Sequence, residues 1–294
     1  MPVVRAGDAG DQARVQAAVA TPGARSSPGT HMRTFKLTVS YDGTDFSGFQ
    51  RQANARSVQA EIELALAAIE GTHVTVAGAG RTDAGVHALG QVASFALSSA
   101  IAERDLLRAL NAKLPGDVRA LSVEVAAPGF NARFAARSKT YRYRISHTPV
   151  MSPFQRRFAW HISRPLDLGA MDAAAGWLLG EHDFACFQAK ASPRQKVRTV
   201  RTTTRTVTRS AWTEEPLAGG GRLLVYEIAG SGFLKYMVRT VIGTLVEVGD
   251  GRRPPASLRD LLDSRNRAAA GPTAPPSGLY LVRVDYDAAA PVSF

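Results

Sequence analysis

The stretch "VTVAGAGRTDAGVHALGQVASF", residues 74–95, decides between two fold classes. A β-branched run ends in glycines, an acid sits in the turn, and a second apolar run follows. A dinucleotide fingerprint G-x-G-x-x-G starting at Gly78 needs a glycine at 83, and Asp83 stands there. Its charge would repel a pyrophosphate. A P-loop starting at Gly80 needs Lys and Ser/Thr after Gly85, and the chain has Val86 and His87. Both phosphate-loop readings fail on chemistry. Two readings of the loop remain: a glycine-rich turn in which Asp83 is an ordinary turn former, or a loop built to present a carboxylate.

Outward from this stretch the periodicities give an α+β order. "TFKLTVSYDG" alternates Phe35, Leu37 and Val39 and ends at Asp42-Gly43, which predicts a strand. Val58, Ile62, Leu66 and Ile69 share a helical face, with Ser57 as N-cap and Gly71 past the end. Strands are expected at 73–78, 91–97 and 118–125, with a helix at 103–112. Beyond residue 130, strands are expected at 140–147, 197–209, 222–229 and 279–286. Helices are expected at 167–179, 234–248 and 256–263. Each half reads as roughly β-α-β-β-α-β, with mainly antiparallel sheets and not the strict alternation of a doubly wound fold. The expected organisation is a disordered tail (1–32), an N-terminal half (33–130) and a C-terminal half (131–288). The active site of such a protein often lies in a cleft between the halves.

The 294 residues are 45% apolar and contain one cysteine, Cys186, which excludes an internal disulfide framework and a multi-cysteine zinc site. One cysteine fits a reducing compartment such as the cytoplasm. No apolar run approaches the ~18 residues of a membrane span. Residues 137–209 hold 14 Lys/Arg against 4 Asp/Glu, nearly the whole excess behind the net charge of +11. So concentrated a basic region suits a polyanion such as nucleic acid, although a solvated basic face gives the same count.

Four groups of residues could carry chemistry. Asp83 is the leading catalytic candidate, with Gly80 and Gly85 leaving room for a substrate and Arg81 placed to orient the acid or hold a phosphate. In "SKTYRYRIS" strand alternation puts Tyr141 and Tyr143 on one face and Arg142 and Arg144 on the other. Such tyrosines can stack an unpaired base or form core. Lys235 and Arg239 stand i, i+4 where the last long helix begins, a place for a phosphate or carboxylate. Arg201, Arg205 and Arg209 form a ridge if no bulge intervenes. The histidines have no metal-ligand spacing, His87 reads as structural, and no metal is expected.

"GRTDAGVHALGQV" (80–92) closely resembles the signature of the tRNA pseudouridine synthase A family. "YDGTDFSGFQRQ" (41–52), "SVQ" (57–59), "NAKLPGDV" (111–118), "FNARFAARSKTYRYRI" (130–145), "GSGFLKYMVR" (230–239) and "GLYLVRVDY" (278–286) follow in the family's order. The resemblance spans about residues 33–287. It implies the pseudouridine synthase fold and conversion of uridine to pseudouridine at positions 38, 39 and 40 of the tRNA anticodon arm. It also implies a homodimer with a basic cleft, no cofactor and no metal. Asp83 falls on the family's catalytic aspartate and Tyr141 on the tyrosine that packs on the target base. Arg81 and Arg239 match basic residues near the aspartate. A nucleophile should be ionised, so an arginine is expected to pair with Asp83 and lower its pKa. A non-catalytic RNA-binding module would gain nothing from an acid facing RNA.

Overall fold

The computed structural model describes residues 32–189, 202–217 and 220–287. Residues 1–31 of the expected tail, Arg201 and the start of the expected 197–209 strand lie outside them. The N-terminal elements are β1 (Arg33–Tyr41), α1 (Val58–Glu70), β2 (Ala77–Gly78), β3 (His87–Leu97), α2 (Glu103–Lys113) and β4 (Val118–Val125). Then come β5 (Ala136–His147), β6 (Trp160–His161), α3 (Leu168–Gly176), β7 (Gly180–Asp183), β8 (Thr204–Pro216), β9 (Arg222–Gly230), α4 (Met237–Gly249), α5 (Ser257–Ser264) and β10 (Leu279–Tyr286).

Strand alternation builds the core. Phe35, Leu37 and Val39 of β1 are fully buried, and Phe35 stacks on Phe95 of β3 across the antiparallel pair. Helix α1 buries Val58, Ile62 and Leu66 and stops at Gly71, whose φ of 79° is the left-handed conformation that favours glycine. Residues 73–76 do not join a strand as expected. The Val76 N–H donates to a carboxylate oxygen of Glu63, and its carbonyl accepts from the Gln59 side chain, so α1 takes the bonds a ladder would have used.

The strands form one mostly antiparallel sheet, in the order β4-β1-β3-β10-β5-β9-β8-β7 with β2 on β3 and β6 on β5. The last strand joins what the sequence reads as separate halves. Strand β10 runs antiparallel to β5 and parallel to β3, pairing Tyr280 with His87 and Leu281 with Ala88. The loop that carries Asp83, just before β3, is thereby brought beside β5 and its tyrosines.

Candidate active site

The Asp83 loop (79–86) is gripped from behind by the segment that follows β1. The Phe49 N–H donates to the Thr82 carbonyl at 3.2 Å, and the Gly85 N–H donates to the Phe46 carbonyl at 3.2 Å. The hydroxyls of Tyr41 and Thr82 are 2.8 Å apart. Gly48, at φ 101°, lies so close that a Cβ there would sit 2.6 Å from the Thr82 carbonyl oxygen. One at Gly43 would sit 1.9 Å from that of Val86. "YDGTDFSGFQ" is therefore a cradle whose glycines allow the close approach. His87 closes the end of the loop. The Gly43 N–H donates to its Nδ1 at 3.1 Å and Nε2 bonds the Arg157 carbonyl at 3.0 Å, which fixes a neutral Nε2–H imidazole. Burial lowers its pKa, and it stacks on Tyr280 as a structural residue.

Arg239, not the neighbouring Arg81, meets the acid. Its Nη1 is 3.6 Å from Asp83 Oδ2, an ion pair longer than a hydrogen bond, with side chains 14% and 26% exposed. Ala274 holds Arg239 twice, accepting from its Nε at 2.7 Å and donating its own N–H to the Arg239 carbonyl at 3.0 Å. The same segment accepts the Tyr143 hydroxyl on the Pro275 carbonyl at 2.8 Å and lays Pro276 against Gly85. Arg81 is exposed and has no ion-pair partner among the described residues. Of the two arginines expected near the acid, the one on the first turn of α4, held by the 274–276 segment, is the one that pairs.

The expected fall in the Asp83 pKa does not occur. Burial raises it above the ordinary carboxylate value, and the charges of Arg239 and Lys235 offset this only in part. Lys235 acts from outside the helix, which corrects the expected i, i+4 pair. Tyr236, at φ 63°, is left-handed and α4 begins only at Met237. A non-glycine residue there is strained backbone beside a candidate site. The Tyr236 ring lies 5.0 Å from Lys235 Nζ and 5.1 Å from the Arg239 guanidinium. No motif read from the sequence gave Tyr236 this place; its signal is an aromatic one residue after Lys235 and three before Arg239.

Tyr141 is buried, meets Phe233 edge-on at 5.1 Å, and has no hydrogen-bond partner for its hydroxyl among the described residues. Burial first, then the charges of Tyr41 and Asp83, raises its pKa, so the phenol stays protonated. Tyr143 is core. Arg142 and Arg144 take the opposite face, as alternation requires. Arg142 Nη2 and Arg209 Nε share Glu227 at 3.1 Å and 2.7 Å.

The expected arginine ridge is broken. A bulge between Val207 and Arg209 shifts the register of β8 against β9, so Arg205 shares a face with Val207 while Arg209 lies on the other. Cys186 is buried, with its thiol pushed up to about 12 by burial.

A family model described as "tRNA pseudouridine synthase" matches residues 37–135 and 174–287. The tRNA pseudouridine synthase A of Pelobacter propionicus is 44% identical over 256 residues, covering 87% of this chain and 100% of that protein. The proteins of that name from Streptococcus equi subsp. equi and Streptococcus pneumoniae are 42% and 41% identical over 257 and 258 residues, with 87% of this chain and 100% of each relative covered.

Proposed function

The chain belongs to the tRNA pseudouridine synthase family, isomerases acting on tRNA, and from that premise we propose that it converts uridine to pseudouridine at positions 38, 39 and 40 of the anticodon stem-loop with Asp83 as nucleophile. The observation that carries this reading is the half-buried Asp83 carboxylate facing Arg239, beside the buried ring of Tyr141. The reaction breaks the N1–C1′ bond, forms a C5–C1′ bond, removes the C5 proton and places a proton on N1. Apart from that proton exchange no group enters or leaves, so the work falls to a carboxylate, a dry pocket and a means of taking a base from the stack.

Asp83 attacks C1′ or C6; either route needs its ionised form. Arg239 holds that form in reach against the cost of burial. The Tyr141 face packs on the flipped uracil. Its protonated phenol is suited to hydrogen bonding and poorly suited to accepting the C5 proton. Arg81, exposed beside the acid, is free to take a phosphate. The working enzyme is a cytoplasmic homodimer in this reading.

The test is tRNA from a strain lacking this gene, mapped for pseudouridine at every anticodon-arm position. The expected result is loss at 38, 39 and 40, restored by the wild-type gene and not by Asp83→Asn. Loss at other positions, or in another RNA, would replace the assigned substrate.

A further inference from the structure

Strand β5 points a third side chain toward the tyrosine face. Lys139 is two residues before Tyr141, ~7 Å away along the strand. Its partner on β9 is Gly230, which has no side chain to cover it. Its side chain reaches over the Asp83 loop, where a Cβ on Gly80 would sit 3.2 Å from Lys139 Cε and 3.5 Å from Nζ. The Gly80 carbonyl is itself fixed by the Gln91 amide at 3.0 Å, so the ammonium rests on a held backbone.

Among the described residues, both charges that act on Lys139 are positive. It is half-buried, and burial together with the charges of Arg133 and Arg205 lowers its pKa. Among the described residues no carboxylate pairs with Lys139 or Arg133. The surrounding basic residues are treated differently: Arg137 pairs with Asp287, Arg142 and Arg209 with Glu227, Arg157 with Asp45 and Arg164 with Asp250. Arg205 Nε lies 3.8 Å from where a Cβ on Gly232 would be, next to the Phe233 that edges Tyr141. Gathering like charges around a half-buried ammonium raises the energy of the free protein, and an anion reverses the sign of that cost.

We propose that Lys139, in the positive field of Arg133 and Arg205, holds one backbone phosphate of the RNA strand next to the nucleotide that enters the Asp83 site. This rests on the reading that Asp83 and Tyr141 take the target uridine. A phosphodiester fits better than a base, because the group offers charged donors and no acceptor. Lys139 is a positioning residue: it fixes the strand so that the flipped sugar meets Asp83, and it does not touch the reacting atoms.

The experiment pairs Lys139→Gln and Lys139→Arg with anticodon stem-loop RNAs that carry a neutral methylphosphonate at one linkage at a time. Affinity and single-turnover rate are measured for every pair. Losing a charge-assisted contact should weaken RNA binding by Lys139→Gln roughly ten- to a hundredfold, with Lys139→Arg recovering most of it. The expected signature is one linkage at which methylphosphonate weakens the wild type by a similar factor and Lys139→Gln loses nothing further. The rate at saturating enzyme should fall much less than the affinity. Effects that multiply at every linkage, or wild-type affinity in Lys139→Gln, would overturn the proposal. So would competition by millimolar inorganic phosphate that depends on Lys139 without any coupled linkage, since the site would then belong to a free anion. A wild-type scan with no sensitive linkage overturns it even if the Gln variant does not fold. Wild-type turnover tests the functional reading separately, because the coupling is read on affinity.

Discussion

The two faces of β5 handle charge in opposite ways. On one, Arg142 and Arg209 share the carboxylate of Glu227 close to solvent. On the other, Lys139 reaches over the Asp83 loop and Tyr141 lies within the field of its acid, and the carboxylate is held half-buried against Arg239 at a raised pKa. The second also has strained backbone beside it, at the left-handed Tyr236. Charge count alone does not tell the two faces apart. Uncompensated or desolvated charge marks the site.

The largest effect should come from Asp83→Asn. Turnover should fall by more than about a hundredfold, since a covalent nucleophile supplies several kcal/mol of the barrier reduction. RNA affinity should stay within a few-fold. Because the folded pKa of Asp83 is raised, its ionised form costs stability at neutral pH, a cost that disappears as pH falls below the unfolded value. A thermal melt of Asp83→Asn should therefore show an unchanged or higher midpoint. A marked fall would mean the carboxylate is structural.

Arg239→Gln should come next. It leaves the half-buried Asp83 without its partner, so the pKa should rise further. The wild-type rate should fall as pH drops through the raised Asp83 pKa, above the ordinary carboxylate range. In Arg239→Gln that acidic limb should move to still higher pH. A single-turnover pH profile checks this, and an unmoved limb would remove Arg239 from the control of Asp83.

Tyr141 separates ring from hydroxyl. Tyr141→Phe should keep most RNA binding, because the face that stacks remains. Tyr141→Ala should lose roughly 1–3 kcal/mol of stacking. It should also destabilise the fold by about 3–5 kcal/mol, as for other large aromatic deletions in cores. Binding at a temperature well below the melt of each variant distinguishes the two losses. Equal behaviour of Phe and Ala would end the stacking role.

The smallest effect belongs to the arginine face. Arg142→Gln and Arg209→Gln together should change the slope of log affinity against log salt by less than the ~0.7–0.9 expected for one lost phosphate contact, because Glu227 already holds both groups. A drop of two contacts would show that RNA displaces Glu227 and that both faces of β5 bind substrate.

Much of this was legible locally. The bounds of β4 and β10 follow from alternation between turn residues, and both match the sequence reading. What was not legible depends on distant chain. The position of β10 between β3 and β5 leaves no trace in its own eight residues. The start of α4 moves to Met237 because Tyr236 adopts a conformation that no helical pattern signals. The resemblance set both Arg81 and Arg239 near Asp83, and which of them pairs is decided by Ala274, which aims Arg239 at it across the fold. The pKa went the other way because burial of the carboxylate outweighs the charges of Arg239 and Lys235. The broken ridge turned on one bulge in β8.

The central claim is that Asp83, in this desolvated setting, carries out the isomerisation of a tRNA uridine. Its most direct test is single-turnover release of tritium from uridine labelled at C5 in an anticodon stem-loop, with RNA binding measured in parallel. Wild-type protein should release one tritium per target uridine, and Asp83→Asn should bind the RNA yet release tritium at less than about a hundredth of that rate. Release by the Asn variant above that level, or no release by the wild type on any tRNA stem-loop, would contradict the account.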